Sequence, residues 1–235
     1  MRGSKWFANG TPTVSASAGI SARMIDVALR RTMCPMIVTI SREYGASGLT
    51  VAHRVGDLLG YPVVGDDLPK IAALRLGTTH EDVVAVEHRT PSLAERILNN
   101  LGSADGVTTA APSFESEVRR EIETAVLEAA AQPDVVIVGG IANVILRGRP
   151  NLLSVFLHAP LEFRIGRVME SLKIGRDEAR KEVERVDAAR KRWAKVHYDL
   201  EWGRADYYSI ALDVARVGVD GAVHLIASAA NQLHK

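Results

Sequence analysis

A glycine-rich stretch near the start of the chain carries the residues best suited to chemistry. The segment IVTISREYGASGLTVAHRVGDLLGYP, at 37–62, runs from a β-branched apolar segment through the turn GASGLT into an amphipathic pattern. Glycines let successive backbone N–H groups turn towards an anion, and a helix N-terminus behind them favours negative charge. The pattern therefore predicts a phosphate-binding loop for a nucleotide, formed by Gly45, Ala46, Ser47, Gly48, Leu49 and Thr50.

The loop lacks the lysine that usually reaches the outer phosphates of a bound nucleotide. The motif G-x-x-x-x-G-K-[ST] is therefore not matched, and an ordinary strand-to-helix turn with glycines is the alternative interpretation. Transfer of a phosphoryl group needs several cations around the phosphates. Arg42, three residues before Gly45, is the nearest replacement, although a surface arginine paired with Glu43 would also explain it.

Further arginines lie in two predicted helices of the C-terminal half. Arg164 and Arg167 are three residues apart and so share one helix face, while Arg190 lies in the charge-rich segment 176–198. A charge-rich helix is usually a solvated face, which is the alternative to a phosphate-gripping role. Asp66, after the second predicted strand, could hold Mg²⁺ through water or cap a helix.

Strand-like and helix-like segments alternate from Met36 onwards. DVVIVGG is apolar on both faces, as a strand of a parallel sheet is, and NLLSVFLHAP is another strand candidate. The alternation predicts an α/β fold, a mostly parallel sheet with helices on both faces, which binds ligands at the carboxyl ends of its strands. The helical stretch at 66–116 is too long for a simple crossover, so we expect an inserted substrate-binding subdomain there.

Composition and charge limit the possible partners. The chain of 235 residues is 47% hydrophobic and 24% charged with a formal net charge of +1, which predicts a globular protein and argues against nucleic acid or an anionic membrane as partner. No apolar run approaches the roughly 18 residues that span a bilayer. One cysteine allows no disulfide within the chain, so a reducing cytoplasm is the expected compartment.

Residues 1–34 differ in composition from the domain predicted at 35–235. Up to about Ser21 this N-terminal extension is rich in Ser, Thr, Gly and Ala, which predicts a largely disordered segment followed by a short helix. A transit-like leader is the alternative, because the extension carries arginines and few acids.

Three segments of the chain resemble the cytidylate kinase-like family of the P-loop nucleoside monophosphate kinases. They are TISREYGASGLTVAHRVGDLLGYPVVGDDL, VVIVGGIANVILRGRPNLLSVFLHAPLEFRIGRVME and VDAARKRWAKVHYDLEWGRADYYSIALDVARVGVDGAVHLI. The resemblance covers nearly all of the chain from Met36 to Leu233. It implies a P-loop kinase fold with an inserted helical subdomain for the acceptor at 66–116 and a helical lid at 172–198.

The resemblance implies an ATP- and Mg²⁺-dependent phosphotransferase that acts on a CMP-like nucleoside monophosphate or on another small phosphate acceptor. Its partners would be the nucleotide and that acceptor, and a homo-oligomer is also compatible with the sequence. Because the loop lysine is missing, a nucleotide-binding regulatory or assembly protein that has lost turnover is the competing hypothesis. A protein that only presents surfaces for oligomerisation is the third.

Individual roles also follow from the resemblance. Gly48 stands at the position of the family's loop lysine, and Thr50 at the position of the hydroxyl residue that faces Mg²⁺. Asp66, after the second predicted strand, is the other metal candidate. The resemblance places Arg164 and Arg190 near the lid, and these two, together with Arg42 as the nearest replacement for the lysine, are the expected catalytic cations. Four side chains are expected to bind the acceptor: Arg119, Asn143, Arg167 and Asp187.

The segment after the third predicted strand departs from the family. The arginine usually found there is replaced by Gly140-Ile141. Asn143 is the nearest polar side chain left, and it could read a base edge or cap the helix that follows.

Removal of the N-terminal extension up to about Ser21 should leave the fold intact, because this composition cannot bury a core. We expect the truncated protein to melt within a few degrees of the full chain, as measured by circular dichroism. A large fall in the melting temperature would instead show that the extension packs on the folded domain.

Overall fold

The strands form a single parallel sheet. The computed structural model describes residues 35–65, 68–88, 113–139 and 141–233, so the extension at 1–34, Asp66 and Gly140 lie outside the described residues. The strand order is β2-β3-β1-β4-β5 with every pair parallel, which confirms the predicted fold class. The strands are β1 (Ile37–Arg42), β2 (Val63–Val64), β3 (Val135–Val138), β4 (Leu152–His158) and β5 (Ile210–Asp213).

Helices connect the strands and cover the sheet. Those in the described residues are α1 (Gly48–Leu59), α2 (Leu68–Leu76), α3 (His80–His88), α4 (Phe114–Ala129), α5 (Ala142–Ile145), α6 (Leu161–Leu172), α7 (Arg176–Tyr198) and α8 (Val214–Leu233), with a 3₁₀ turn at Ala205–Tyr207. The last of them is interrupted at Gly218, whose φ of 71° is not helical. None of these helices is long and apolar enough to cross a bilayer.

The central strand β1 is buried on both faces, which explains its continuous apolar sequence. On one face, Val38 and Ile40 pack with α1 and α8. On the other, Ile37 packs with β3, α4 and α5. The carboxyl end of β1 is therefore fixed in the middle of the sheet, where the predicted phosphate loop begins.

Two groups of helices stand at the carboxyl edge of the sheet. Helices α2, α3 and α4 come between β2 and β3 in the chain, and a buried cluster joins them to Trp193 of α7. The first two lie within the insertion predicted at 66–116, whereas α4 begins at its end and extends to Ala129. Helices α6 and α7 form an antiparallel hairpin, in which Ile165 and Val168 pack against Ala179 and Val183. Helices α6 and α7 supply side chains that face the loop, whereas α2, α3 and α4 supply side chains beside the ends of β1 and β3.

Candidate active site

The loop after β1 has the backbone of an anion-binding turn. Gly45 has a φ of 82° and Ser47 a φ of 56°, both in the left-handed region. At Gly45 a side chain is also excluded by space, because a Cβ atom would lie 2.7 Å from the carbonyl oxygen of Arg164. Helix α1 begins directly afterwards at Gly48, and Ser47 makes no side-chain cap to its first turn. The N–H groups of that turn are therefore available to an anion.

A cavity of about 240 Å³ lies against this loop. We call it the loop cavity. Helix α6 contributes one side of it and α7 contributes Arg190. Its walls are formed by Arg42, Glu43, Tyr44, Gly45, Ser47, Gly48, Leu49, Thr50, Arg167, Val168, Ser171 and Arg190.

A larger cavity of about 460 Å³ lies beside the ends of β1 and β3, and we call it the subdomain cavity. This volume is within the range of about 300–1,000 Å³ typical of small-molecule sites. Its walls are mainly apolar, from α2, α4, α5 and α7, and the polar groups among them include Lys70 and His80. The cavity can therefore hold a small ligand that has an apolar portion.

Arg42 and Arg190 line both cavities. Arg42 is the last residue of β1, and its backbone carbonyl accepts a hydrogen bond of 3.0 Å from Nη1 of Arg190. The guanidinium of Arg190 also lies 5.8 Å from the centre of the Tyr44 ring and 3.9 Å from Oδ1 of Asp187. The structure thus brings together two of the three predicted catalytic cations, at the border of the two cavities.

Behind the loop, a buried charge network centres on Arg164. Its Nε donates to the carbonyl of Ala159 at 2.9 Å and lies 3.2 Å from Oε2 of Glu43. Its Nη1 donates to Oδ2 of Asp187 at 2.5 Å and to the carbonyl of Tyr44 at 3.1 Å. The other carboxylate oxygen of Asp187 accepts from the backbone N–H of Tyr44 at 2.9 Å. Helices α6 and α7 are thereby bonded directly to the loop backbone.

This network gives Arg164 and Asp187 a different position from the other predicted site residues. Both side chains are buried, and among the described residues that line the two cavities neither appears. Besides the backbone of Tyr44 and each other, Arg164 contacts Glu43 and the carbonyl of Ala159, and Asp187 lies near Arg190. Such contacts favour a role in positioning the loop over direct contact with a phosphate.

Asn143 lies at the end of β1 rather than at a helix cap. Helix α5 begins after Ile141, so Asn143 is inside it and does not cap it. Its Oδ1 lies 3.4 Å from the hydroxyl of Ser41, and its Nδ2 donates to the carbonyl of Tyr207 at 3.3 Å. The alternative that Asn143 caps the helix after β3 is therefore wrong. The side chain of Asn143 instead connects β1 to the 3₁₀ turn.

Arg119 and Arg167, two other residues predicted to bind the acceptor, are not among the described residues that line the subdomain cavity. Arg119 pairs with Glu123 on α4 at 3.1 Å, and Glu123 also accepts from the hydroxyl of Tyr198 at 2.8 Å. Arg167 lines the loop cavity, where it is 3.3 Å from Glu170. It therefore lies beside the loop and not in the subdomain cavity.

Of the predicted metal residues, Thr50 is the one that the structure describes. Its exposed side chain lines the loop cavity in the first turn of α1. In the usual motif the hydroxyl residue follows the lysine directly, a position that Leu49 takes here. No group of three potential metal ligands is present in the part of the chain that the structure describes.

Sequence reasoning missed three polar side chains of the subdomain cavity, namely Lys70, His80 and Trp202. Trp202 follows α7 in an irregular segment, and its indole ring packs edge-on against Phe156. Its Nε1 and the Nδ1 of His80 are buried, and within the described ranges neither has a hydrogen-bond partner. No local motif marks these residues, because they come from three separate segments.

Residues 37–216 match the family described as "Cytidylate kinase-like family". The chain belongs to the cytidylate kinase-like family. One relative is a protein named "Cytidylate kinase" from Methanocaldococcus jannaschii, which is 29% identical over 121 residues, or 51% of this chain and 68% of that protein. Membership places the chain among kinase-like phosphotransferases of small substrates, which agrees with a phosphate loop beside a ligand-sized cavity.

Similar structures support the fold. An uncharacterized protein from Eubacterium ventriosum has a TM-score of 0.59 at 20% identity, with 83% of this chain and 98% of that chain covered. TT1252 from Thermus thermophilus has a TM-score of 0.50 at 21% identity, with coverages of 84% and 97%. At these identities the likeness describes the architecture, and the cytidylate kinase-like site is interpreted from its own residues.

Replacement of Asp187 by Asn should lower the stability of the protein. The amide oxygen can still accept from Tyr44, but the charge opposite the buried Arg164 is lost. A hydrogen bond between charged groups contributes roughly 1.5–3 kcal/mol. For a domain of this size the melting temperature should fall by roughly 3–12 °C, measured by circular dichroism.

The control is Asp206→Asn, which removes the charge of an exposed carboxylate paired with Arg204. Exposed pairs contribute little, so this variant should melt close to the parent protein. Equal melting temperatures for both variants would contradict the structural importance of the buried network.

Proposed function

We propose that the protein transfers the γ-phosphate of ATP to a nucleoside monophosphate or a similar small phosphorylated acceptor. The observation that carries this proposal is that the loop cavity and the subdomain cavity adjoin at Arg42 and Arg190. A triphosphate in the first cavity and an acceptor in the second would meet between two guanidinium groups. Phosphoryl transfer depends mainly on such positioning and charge stabilisation.

Each group of residues has a distinct part in this proposal. The backbone of the loop from Gly45 to Thr50 holds the phosphates of ATP, and Arg167 approaches them from α6. Arg42 and Arg190 stabilise the charge on the transferred phosphoryl group, because the planar fork of arginine can bind two oxygens at once. Arg164 and Asp187 keep the loop in shape from behind.

The residues present are compatible with ATP and Mg²⁺. Mg²⁺ is usually held by one or two protein oxygens together with substrate phosphates and water, and it neutralises part of the phosphate charge when bound. The hydroxyl of Thr50 is the protein oxygen we assign to it, with Asp66 as the second candidate. The chain's own task is then to orient the phosphates and supply the arginines.

The residues that line the subdomain cavity suggest which chemical class of acceptor it binds. Its cationic side, with Arg42, Lys70 and Arg190, suits a phosphate, and its apolar side suits a flat ring. The indole N–H of Trp202 can only donate, so it would be satisfied by a carbonyl or ring nitrogen of a base. Since the relative from Methanocaldococcus jannaschii is named for cytidylate, CMP is the first acceptor to test.

Turnover with a panel of acceptors tests the proposal. The purified protein, ATP and Mg²⁺ are combined with CMP, dCMP, UMP, AMP or GMP, and the diphosphate products are separated by chromatography. We expect ADP to form only when an accepted monophosphate is present. Tight ATP binding with no transfer to any acceptor would contradict a kinase and support a nucleotide-binding regulatory protein.

Arg190→Ala should reduce kcat far more than it reduces ATP affinity. An arginine that contacts the transferred group contributes roughly 10³–10⁵-fold to the rate of related reactions, whereas the loop and Mg²⁺ still bind the nucleotide. The two quantities are measured by the product assay and by isothermal titration calorimetry. Arg120→Ala is the matched control, because that side chain is 66% exposed on α4. Equal kcat in the two variants would remove Arg190 from the proposed mechanism.

A further inference from the structure

Arg42 and Gly48 compete for the same space at the start of α1. A Cβ atom placed on Gly48 would lie 2.5 Å from Cγ and 2.8 Å from Cβ of Arg42. Ordinary contacts between carbon atoms are about 3.5–4.0 Å, so any side chain at this position would displace the arginine. The aliphatic stem of Arg42 therefore lies across the first residue of the helix.

The backbone gives no other reason for glycine at this position. Gly45 needs glycine because its φ is 82°, whereas Gly48 is the first helical residue and is not among the residues with positive φ. Alanine is a better helix former than glycine, because glycine loses more conformational entropy on folding. Contact with Arg42 is thus the structural feature that accounts for Gly48.

Position 48 is also where the resemblance sets the lysine of other phosphate loops. Here the side chain that occupies this space comes from the end of β1 and carries a guanidinium. Arg42 lines both cavities, and the hydrogen bond from Arg190 to its backbone carbonyl fixes its main chain. A cation is therefore present beside the loop, although it comes from a different residue.

We propose that Arg42 replaces the missing loop lysine, and that Gly48 is small because the arginine must cross it. This inference rests on the proposed phosphotransferase function. In the transfer, an oxygen of the acceptor phosphate forms a bond to the γ-phosphorus of ATP. The bond from that phosphorus to the β–γ bridging oxygen breaks, and ADP leaves with the electron pair. Arg42 gives up no proton and stabilises the charge that builds on these oxygens.

The first experiment removes the cation. Arg42→Ala should reduce kcat by at least about 10³-fold, and Arg42→Lys should retain part of it because the charge is kept. Arg54→Ala is the control, since Arg54 lies on the same helix α1 as Gly48 and is exposed in a pair with Asp220. Gly48→Ala should also reduce kcat, because it moves Arg42 without changing any charge.

The second experiment returns the cation to its usual position. The double variant Arg42→Gly with Gly48→Lys removes both arginine atoms that approach position 48 within 3.0 Å and restores the loop lysine. We expect the double variant to exceed Arg42→Gly alone in kcat by at least about tenfold. Gly48→Lys alone should be impaired, because both side chains then need the same space.

A binding measurement keeps the inference testable if no acceptor is ever phosphorylated. A cation at the outer phosphates favours ATP over AMP, so Arg42→Ala should reduce the ratio of their affinities by roughly tenfold or more. The double variant should restore that ratio, while Arg54→Ala should not change it. If the parent protein shows no turnover, the proposed function is rejected. The ATP-to-AMP affinity ratio then still tests whether Arg42 takes the place of the loop lysine.

Two outcomes would overturn the replacement of the lysine by Arg42. The first is an Arg42→Ala variant that has the same ATP-to-AMP affinity ratio as the parent protein and, if the parent turns over, the same kcat. The second concerns the double variant: it melts at the same temperature as Arg42→Gly, and so is folded, but exceeds Arg42→Gly neither in kcat nor in the ATP-to-AMP affinity ratio.

Discussion

The guanidinium of Arg164 is the interaction on which the geometry of the site depends. It joins the backbone of the phosphate loop to both helices of the α6–α7 hairpin through Glu43, Tyr44 and Asp187. A buried ion pair of this kind is not in itself strong evidence of stability, because desolvation offsets much of the attraction. Its value here is geometric, since removal of one partner would leave a buried charge and release the loop.

The consequence is a division of labour among the arginines. Arg164 is buried and bonded to protein groups of the loop, whereas Arg42 and Arg190 line both cavities. The same residue type thus serves two purposes, and burial distinguishes them. Although the loop has no lysine, Arg42, Arg167 and Arg190 from neighbouring elements bring positive charge to the loop cavity.

The sheet and the loop could be predicted because their signals are local. The apolar run of β1, the glycines after it and the amphipathic pattern of α1 are all contiguous in the sequence, and the structure places them as expected. Helix α7 likewise spans the charge-rich segment Arg176–Tyr198. The apolar residues of β1 and α1 pack together in the core around the sheet, whereas Ala179 and Val183 of α7 pack against α6. In each element the apolar residues recur with the period of that element.

The functions of individual polar residues were less accessible, because they depend on contacts between distant segments. Asp187 bonds to Tyr44 across 143 positions, and Asn143 bonds to Ser41 across 102. The close approach of Arg42 to Gly48 involves its Cβ atom, which the backbone places, and its Cγ atom, which the rotamer places, and no periodicity encodes either. Arg167 shares a helix face with Arg164 in sequence, yet the first lines a cavity and the second is buried behind the loop.

The two attachment points of the α6–α7 hairpin have a mechanical consequence. Arg164 and Asp187 fix the hairpin to the loop, while its tip at 173–175 lies beyond them. The part of α7 from Arg176 to Asp187 is about 16 Å long at a rise of 1.5 Å per residue. Arg176 and Arg180 also pair with Glu162 of α6, so the two helices of the hairpin are held to each other, and a rotation of the hairpin by about 10° about the loop would displace its tip by about 3 Å. Because Arg167, Val168 and Ser171 of the hairpin also line the loop cavity, any such rotation would change the shape of that cavity as well.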